Sequence, residues 1–322
     1  MSRQTRSDAM PTVLVTGAAG ALARRVIQRL AGEARVIAAD VRRRALLPEV
    51  EASYHLDMSR KGFAEVFAAH RIDAVIHIGR IFTHEQSRMA RYNANVLGTR
   101  RLLDLCCEHG VRQVVLHSTY LVYGARPDNP SLIVEGFPGR ADERSGDLLD
   151  AVELERLAES YAERHPELGL TLLRACNVVG PGVRNTVALL LSRPVVPVLI
   201  GASPAMQFLH VDDMATAVVS AYKGNRPGVY NVASDEPVPL QAAVLACGGV
   251  RLPVLPVSAV FLAALGRAAG GRLLFPGHLL DFFRYPVVLD DSLFRRRFGW
   301  APRIDTADIF LDYHRQRMHE PH

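Results

Sequence analysis

Short, wholly apolar runs alternate along the first half of the chain with longer stretches whose apolar positions recur at helical spacing. PTVLVTG (11–17), ARVIAAD (34–40), AVIHIG (74–79) and QVVLHST (113–119) are the apolar runs. They are rich in β-branched residues and end at Gly, Asp or a small polar residue, as strands do. Between them lie GALARRVIQRLAG, KGFAEVFAAH (61–70) and NVLGTRRLLDLCCEHG (95–110), with the spacing of amphipathic helices. Strands alternating with helices predict a parallel sheet covered on both faces, which explains why the strands are apolar throughout. A further amphipathic stretch, SGDLLDAVELERLAESY (145–161), precedes the apolar strand LLRAC. The second half mixes shorter elements with Pro-containing turns. We therefore expect a nucleotide-binding domain over 11–178, to which segments near 205–235 return, and a mostly separate smaller lobe over 179–322.

Composition narrows the function classes. Of 322 residues, 49% are hydrophobic and 22% charged, as in a globular protein able to bury a large core. The net charge of +5, 38 basic minus 33 acidic residues, is dispersed, and no basic stripe marks a nucleic-acid partner. The four cysteines have no metal-ligand spacing, so reduced thiols and no metal are expected. The polar N-terminus lacks a signal-peptide core, which points to the cytoplasm. The most apolar run, 254–271, is interrupted by Pro256 and Arg267 and is too short for a transmembrane segment. A core helix is the expectation there, with membrane-surface contact as the alternative.

The first strand-to-helix junction carries candidate chemistry. Gly17-Ala18-Ala19-Gly20-Ala21-Leu22-Ala23 places glycines where a tight turn and a close backbone approach to a pyrophosphate are needed, with a small residue where helix meets strand. Asp40 ends the second strand, where a carboxylate accepts hydrogen bonds from the adenosine ribose and repels a 2′-phosphate. NAD is thus favoured over NADP, although Arg42, Arg43 and Arg44 temper the preference.

These motifs, with LDMS (56–59), NVLGT (95–99), HSTYLVYG (117–124), LLRACNVVGPG (172–182), FLHVDDMA (208–215) and FGWAP (298–302), resemble the extended short-chain dehydrogenase/reductase family, which includes nucleotide-sugar epimerases and dehydratases. The resemblance implies a Rossmann-type doubly wound α/β fold with a smaller C-terminal substrate lobe, a homodimer built on helices 95–109 and 148–164, and a small-molecule substrate. It implies that Gly17, Ala19, Gly20, Ala21, Leu22, Asp40 and Arg42 hold the adenosine and pyrophosphate, and that Asp57 and Met58 border adenine. Ile78, Gly79 and Arg80 would line the cofactor, although the family usually has Ala at the last two positions. Asn95 would support the pocket, Cys176, Asn177 and Val178 would lie near the nicotinamide, and Thr119 falls on the catalytic Ser/Thr.

Two departures stand against it. The family's Tyr-x-x-x-Lys pairs a proton-transferring phenol with a lysine that lowers its pKa and holds the ribose. Counted from the LLRACNVVGPG strand and from Glu155, those positions hold Asp147 and Ala151. The chain has no Lys between Lys61 and Lys223 and no Tyr between Tyr123 and Tyr161, so no register restores the pair. Asp147 and Tyr120 are candidate substitutes for the acid, whereas His117 reads as packing. Second, Met206-Gln207-Phe208 stands where nucleotide-sugar enzymes have an Arg that grips phosphate, and Met cannot. A smaller or more apolar ligand is expected. His210, Asp212 and Asp213 read as a structural helix entry with Asp212 as the cap. The expectation is an NAD(P)-binding protein of the epimerase/dehydratase type, with weak or non-standard redox activity on a small or apolar hydroxyl or carbonyl substrate. Its alternatives are an inactive NAD-binding sensor, scaffold or partner subunit, and a membrane-surface lipid or steroid modifier using 254–271.

Overall fold

The computed structural model describes residues 10–42, 47–56, 63–80, 88–139, 141, 148–255 and 279–319. Asp57, Met58, Asp147, Arg43, Arg44 and nearly all of the 254–271 run lie outside these residues.

The described chain runs β1 (Thr12–Thr16), α1 (Ala21–Leu30), β2 (Arg35–Asp40), β3 (Val50–His55), α2 (Phe63–Ala69) and β4 (Ala74–His77). It continues through α3 (Arg88–Tyr92), α4 (Gly98–Glu108), β5 (Gln113–Thr119), α5 (Leu149–Arg164), β6 (Gly169–Ala175), β7 (Asn177–Val179) and α6 (Thr186–Leu191). There follow β8 (Val195–Leu199), β9 (Ala205–Met206), β10 (Phe208–His210), α7 (Val211–Gly224), β11 (Gly228–Val232), β12 (Val238–Pro239), α8 (Leu240–Ala246) and β13 (Val250–Val254). Helices Ser292–Phe298 and Thr306–His319 come last.

Seven strands form one sheet in the order β11-β6-β5-β4-β1-β2-β3, every pair parallel. β1 and β6 are buried at every position, as strands covered on both faces must be. The chain reverses direction across the sheet between β1 and β4. Crossovers leave opposite ways there, so a crevice opens at the carboxyl ends of the strands. Two apolar clusters flank the sheet: Val13, Val15, Ile76, Val115 and Leu173 belong to one, and Leu14, Ile37, Val75, Val114 and Leu172 to the other. Successive strand residues point to opposite faces, which assigns neighbours to different clusters.

β3 was not anticipated by the apolar pattern. It is an edge strand whose burial alternates between half-buried and exposed, and its sequence VEASYH carries little apolar signal. The helix expected from residue 95 starts earlier: α3 runs without a break into a π-helical turn, Asn93–Leu97, with Gly98 N–H donating to Asn93 O. Regular α4 starts only at Gly98.

Candidate active site

A cleft of about 1410 Å³ lies along the carboxyl ends of β2, β1, β4, β5 and β6. One end is the glycine turn. Gly17 has φ +69°, and a Cβ there would sit 2.6 Å from the Cα of Gly79. No side chain fits at 17 between these backbones, whereas a Cβ at Gly79 would make a tight contact, 3.0 Å from Gly17 N. Gly20 precedes α1, which has no capping side chain and no acidic residue in its first turn. The turn therefore presents uncancelled N–H groups at Ala21 and Leu22 to the cleft, a ready place for an anion. Arg24, Arg25 and Arg184 line the same end.

Asp40 closes this end. Its Oδ2 accepts from Ala19 N at 2.9 Å, and its Oδ1 accepts from Arg42 N at 2.8 Å and Arg42 Nε at 3.3 Å. The carboxylate is 8% exposed yet lines the cleft, and Oδ2 keeps a lone pair for a hydroxyl donor. Uncapped helix, bare glycine backbone and acceptor carboxylate together fit an adenosine diphosphate moiety.

The cleft floor was only partly foreseen. Arg80 follows Gly79 with its side chain 4% exposed, and its Nη2 lies 3.5 Å from Asp150 Oδ2. Asp150 also accepts from Asn95 Nδ2. The π-helical turn sets Asn95 inward, 1% exposed, to reach it. Below runs a chain of hydrogen bonds with a defined tautomer. Thr99 Oγ1 donates to Asn95 O at 2.6 Å, so it must accept from His77 Nε2 at 3.0 Å. His77 Nδ1 is then the acceptor for Thr16 Oγ1 at 2.6 Å. Burial, with Arg80 and His117 adding, lowers the His77 pKa to about 3, and the ring is a neutral spacer.

α5 presents Asp150, Ala151, Leu154, Glu155, Ala158 and Tyr161 inward. Glu155 fixes this face: it accepts from Ser118 Oγ, from Arg174 Nε at 2.9 Å and from Arg174 Nη2 at 2.7 Å. Arg174 Nη1 donates to Tyr123 Oη at 3.0 Å, and Tyr123 donates to Asn231 Oδ1 at 2.8 Å. Burial raises the Glu155 pKa, with Arg174 opposing it; burial alone would lower that of Arg174, but Glu155 and Tyr123 outweigh it. Ala151 stands one turn before Glu155, 1% exposed and lining the cleft.

Thr119 and His117 share a face of β5 and both line the cleft. Thr119 Oγ1 accepts from Leu121 N at 3.3 Å. His117, expected to pack, reaches the cleft with both ring nitrogens buried and without a hydrogen-bond partner. Tyr120 donates its hydroxyl to Asn177 Oδ1 at 2.8 Å, and burial raises its pKa. Asn177 Nδ2 donates to Gln207 O at 3.0 Å, so both ends of its amide are engaged. Cys176 and Val178 complete that wall, and burial pushes the Cys176 thiol up to about 12. Beyond it the cleft becomes apolar, lined by Val187, Met206, Leu279, Phe282 and Phe283.

Of the foreseen residues, Gly17, Ala19, Gly20, Ala21, Leu22, Asp40, Arg42, Ile78, Gly79, Arg80, Asn95, Thr119, Tyr120, Cys176, Asn177 and Val178 all line this one cleft. Asp150 was missed, although its recurrence with Leu154, Ala158 and Tyr161 is the signal of an inward face. The cap of α7 is also corrected: His210 Nδ1 accepts from Asp212 N at 3.2 Å, so His210 is the cap. The helix begins at Val211, which leaves Asp212 inside the first turn to pair with Arg29 at 2.9 Å and Arg25 at 3.2 Å. Among the described residues no group of His, Cys, Asp or Glu is placed to hold a metal ion, and no helix is long and apolar enough to cross a membrane.

The sequence model of the NAD dependent epimerase/dehydratase family matches residues 13–233. An uncharacterised protein of Mycobacterium tuberculosis is 29% identical over 319 residues, covering 95% of this chain and 84% of the relative. UDP-glucose 4-epimerase 4 of Oryza sativa subsp. japonica is 34% identical over 187 residues, 52% of this chain and 50% of that one. Among solved structures, UDP-glucose 4-epimerase of Thermotoga maritima with UDP-glucose has TM-score 0.75 at 19% identity, covering 96% of this chain and 100% of the other. MoeE5 in complex with UDP-glucose and NAD has TM-score 0.72 at 21% identity, covering 95% and 99%. At such identities the two structures show the shared fold.

Proposed function

The chain belongs to the NAD-dependent epimerase/dehydratase family, and we propose that its cleft binds NAD and acts, weakly or by a non-standard route, on a small or apolar hydroxyl or carbonyl compound. The observation that carries the cofactor half is the pairing of an uncapped α1 with the Asp40 carboxylate at the opposite lip of the turn. When bound, NAD supplies a hydride acceptor. The backbone at Gly17 and Gly20 and the first-turn amides would hold the pyrophosphate, and Asp40 would take the adenosine ribose hydroxyls.

Thr119 accepts from Leu121 N, so its own O–H is a donor toward a substrate oxygen. The apolar end of the cleft supports a ligand without phosphates. Met206, Leu279 and Phe282 offer contact area there, and no guanidinium takes the position of Met206. Calorimetric titration with NAD, NADP and their reduced forms tests the cofactor. Millimolar concentrations without binding, or an Asp40→Ala variant indistinguishable from wild type, would sink the reading. Consumption of NADH with a panel of apolar aldehydes and ketones tests the reaction.

A second reading, an NAD-binding sensor or partner subunit without turnover, has its own support. Ala151 stands in the cleft where a lysine is usual, and the Tyr120 hydroxyl is committed to Asn177. Binding without turnover across that panel would favour it. A homodimer through α4 and α5 belongs to the proposal as well: the two helices pack side by side, with Tyr161 donating to Asp104, and Leu97 beside them is 46% exposed.

A further inference from the structure

His117 lines the cleft floor with both ring nitrogens buried and unanswered by any described residue. Leaving a buried hydrogen-bonding group unmade costs about 1–3 kcal/mol, so such a group in a ligand cleft points to a partner the ligand brings. Its chemistry limits that partner. Burial, then the neighbouring Arg80 charge, lowers the imidazole pKa to about 4. At neutral pH the ring is uncharged and presents one donor and one acceptor. A base so weak is a poor proton carrier at that pH, but a neutral ring nitrogen, as donor or as acceptor, suits a hydroxyl.

The surroundings favour a sugar over a further phosphate. The Arg80 guanidinium is already balanced by Asp150, and Asn95 holds that carboxylate from its other side. The local field is therefore close to neutral. The strand order sets which part of a dinucleotide arrives here. Asp40 ends β2, the glycine turn follows β1, Arg80 follows β4 and His117 is near the end of β5, and these strands are neighbours in the order β2-β1-β4-β5. Three strand spacings of about 4.8 Å carry a ligand roughly 14 Å past Asp40, beyond the pyrophosphate at the turn. Ala151 adds no bulk at that point of the cleft.

We infer that His117, with Arg80 held beside it by Asp150 and Asn95, recognises the hydroxyls of the second ribose of the dinucleotide, the one beyond the pyrophosphate. The inference rests on the proposed NAD-binding reading. It is tested by calorimetry with three probes, ADP, ADP-ribose and NAD⁺, on wild type, His117→Phe and His117→Gln. ADP reports the adenosine and pyrophosphate sites and confirms that each variant is folded.

Wild type should bind ADP-ribose more tightly than ADP. His117→Phe should weaken ADP-ribose and NAD⁺ about tenfold, the scale of one buried hydrogen bond, with ADP unchanged within about twofold. His117→Gln, which restores a donor and an acceptor, should recover part of the loss. The inference is overturned if ADP weakens by the same factor, if neither variant changes any affinity, or if the loss appears with NAD⁺ alone. Wild type that fails to bind even ADP instead removes the dinucleotide reading on which the inference stands.

Discussion

At the cleft rim, one carboxylate sets which dinucleotide is admitted. Asp40 is 8% exposed and would face the adenosine ribose, so a 2′-phosphate there meets a carboxylate at close range. Arg42 already spends its Nε on Asp40 and is mostly exposed, so it relieves little of that repulsion. NAD should therefore bind more tightly than NADP. Asp40→Ala should weaken NAD about tenfold or more, as loss of a charged hydrogen bond does, and should narrow the gap to NADP in the same titration. His77 and His117 make a second prediction, on stability. Their folded pKa values, about 3 and about 4, lie below the 6.5 of the free side chain. Between those values and 6.5 the unfolded chain binds more protons than the folded one, so stability falls as pH falls through that window. By linkage each histidine contributes a loss of about 3 kcal/mol by pH 4. Urea midpoints measured from pH 7 to 4.5 should drop, and His117→Phe should flatten the slope. The glycines and Asp40 were legible from their spacing, because one βαβ unit brings them together. Asp150 and His117 were not, since they meet Arg80 only when α5, β5 and the end of β4, distant in sequence, pack together.

Helix α5 shows what a single element can settle. Its inward face is held by Glu155, which reaches Ser118 on β5 and Arg174 on β6, and through Arg174 the network extends to Tyr123 and Asn231. Removing one partner of a buried ion pair leaves the other charge uncompensated, at a cost of about 3–5 kcal/mol. Arg174→Met should lower the urea midpoint by that equivalent, whereas the double variant Arg174→Met/Glu155→Leu should recover much of the loss. The same anchor aims Ala151, one turn earlier, into the cleft. The π-helical turn before α4 is the converse case. Its apolar spacing reads as ordinary helix, and only the i→i+5 bond from Gly98 to Asn93 O reveals the wider turn that seats Asn95.

Across the whole molecule, the parallel order β11-β6-β5-β4-β1-β2-β3 opens a crevice in which residues from 16 to 283 meet. The proposed homodimer belongs to this scale: sedimentation should give twice the 35.4 kDa chain mass. Leu97→Arg, placing a charge on the exposed patch beside α4, should shift the protein toward monomer while leaving ADP binding intact. The amino-acid sequence by itself determined the alternating strands and helices, the glycine turn with its carboxylate, and the absence of a lysine anywhere on α5. These are local properties of hydrophobic period, backbone freedom and residue count. The tertiary structure alone decided that Asp150 balances Arg80, that His117 faces the cleft and that Tyr120 is committed to Asn177. Those outcomes depend on which strand ends lie side by side and on which buried polar atoms the surrounding chain can satisfy.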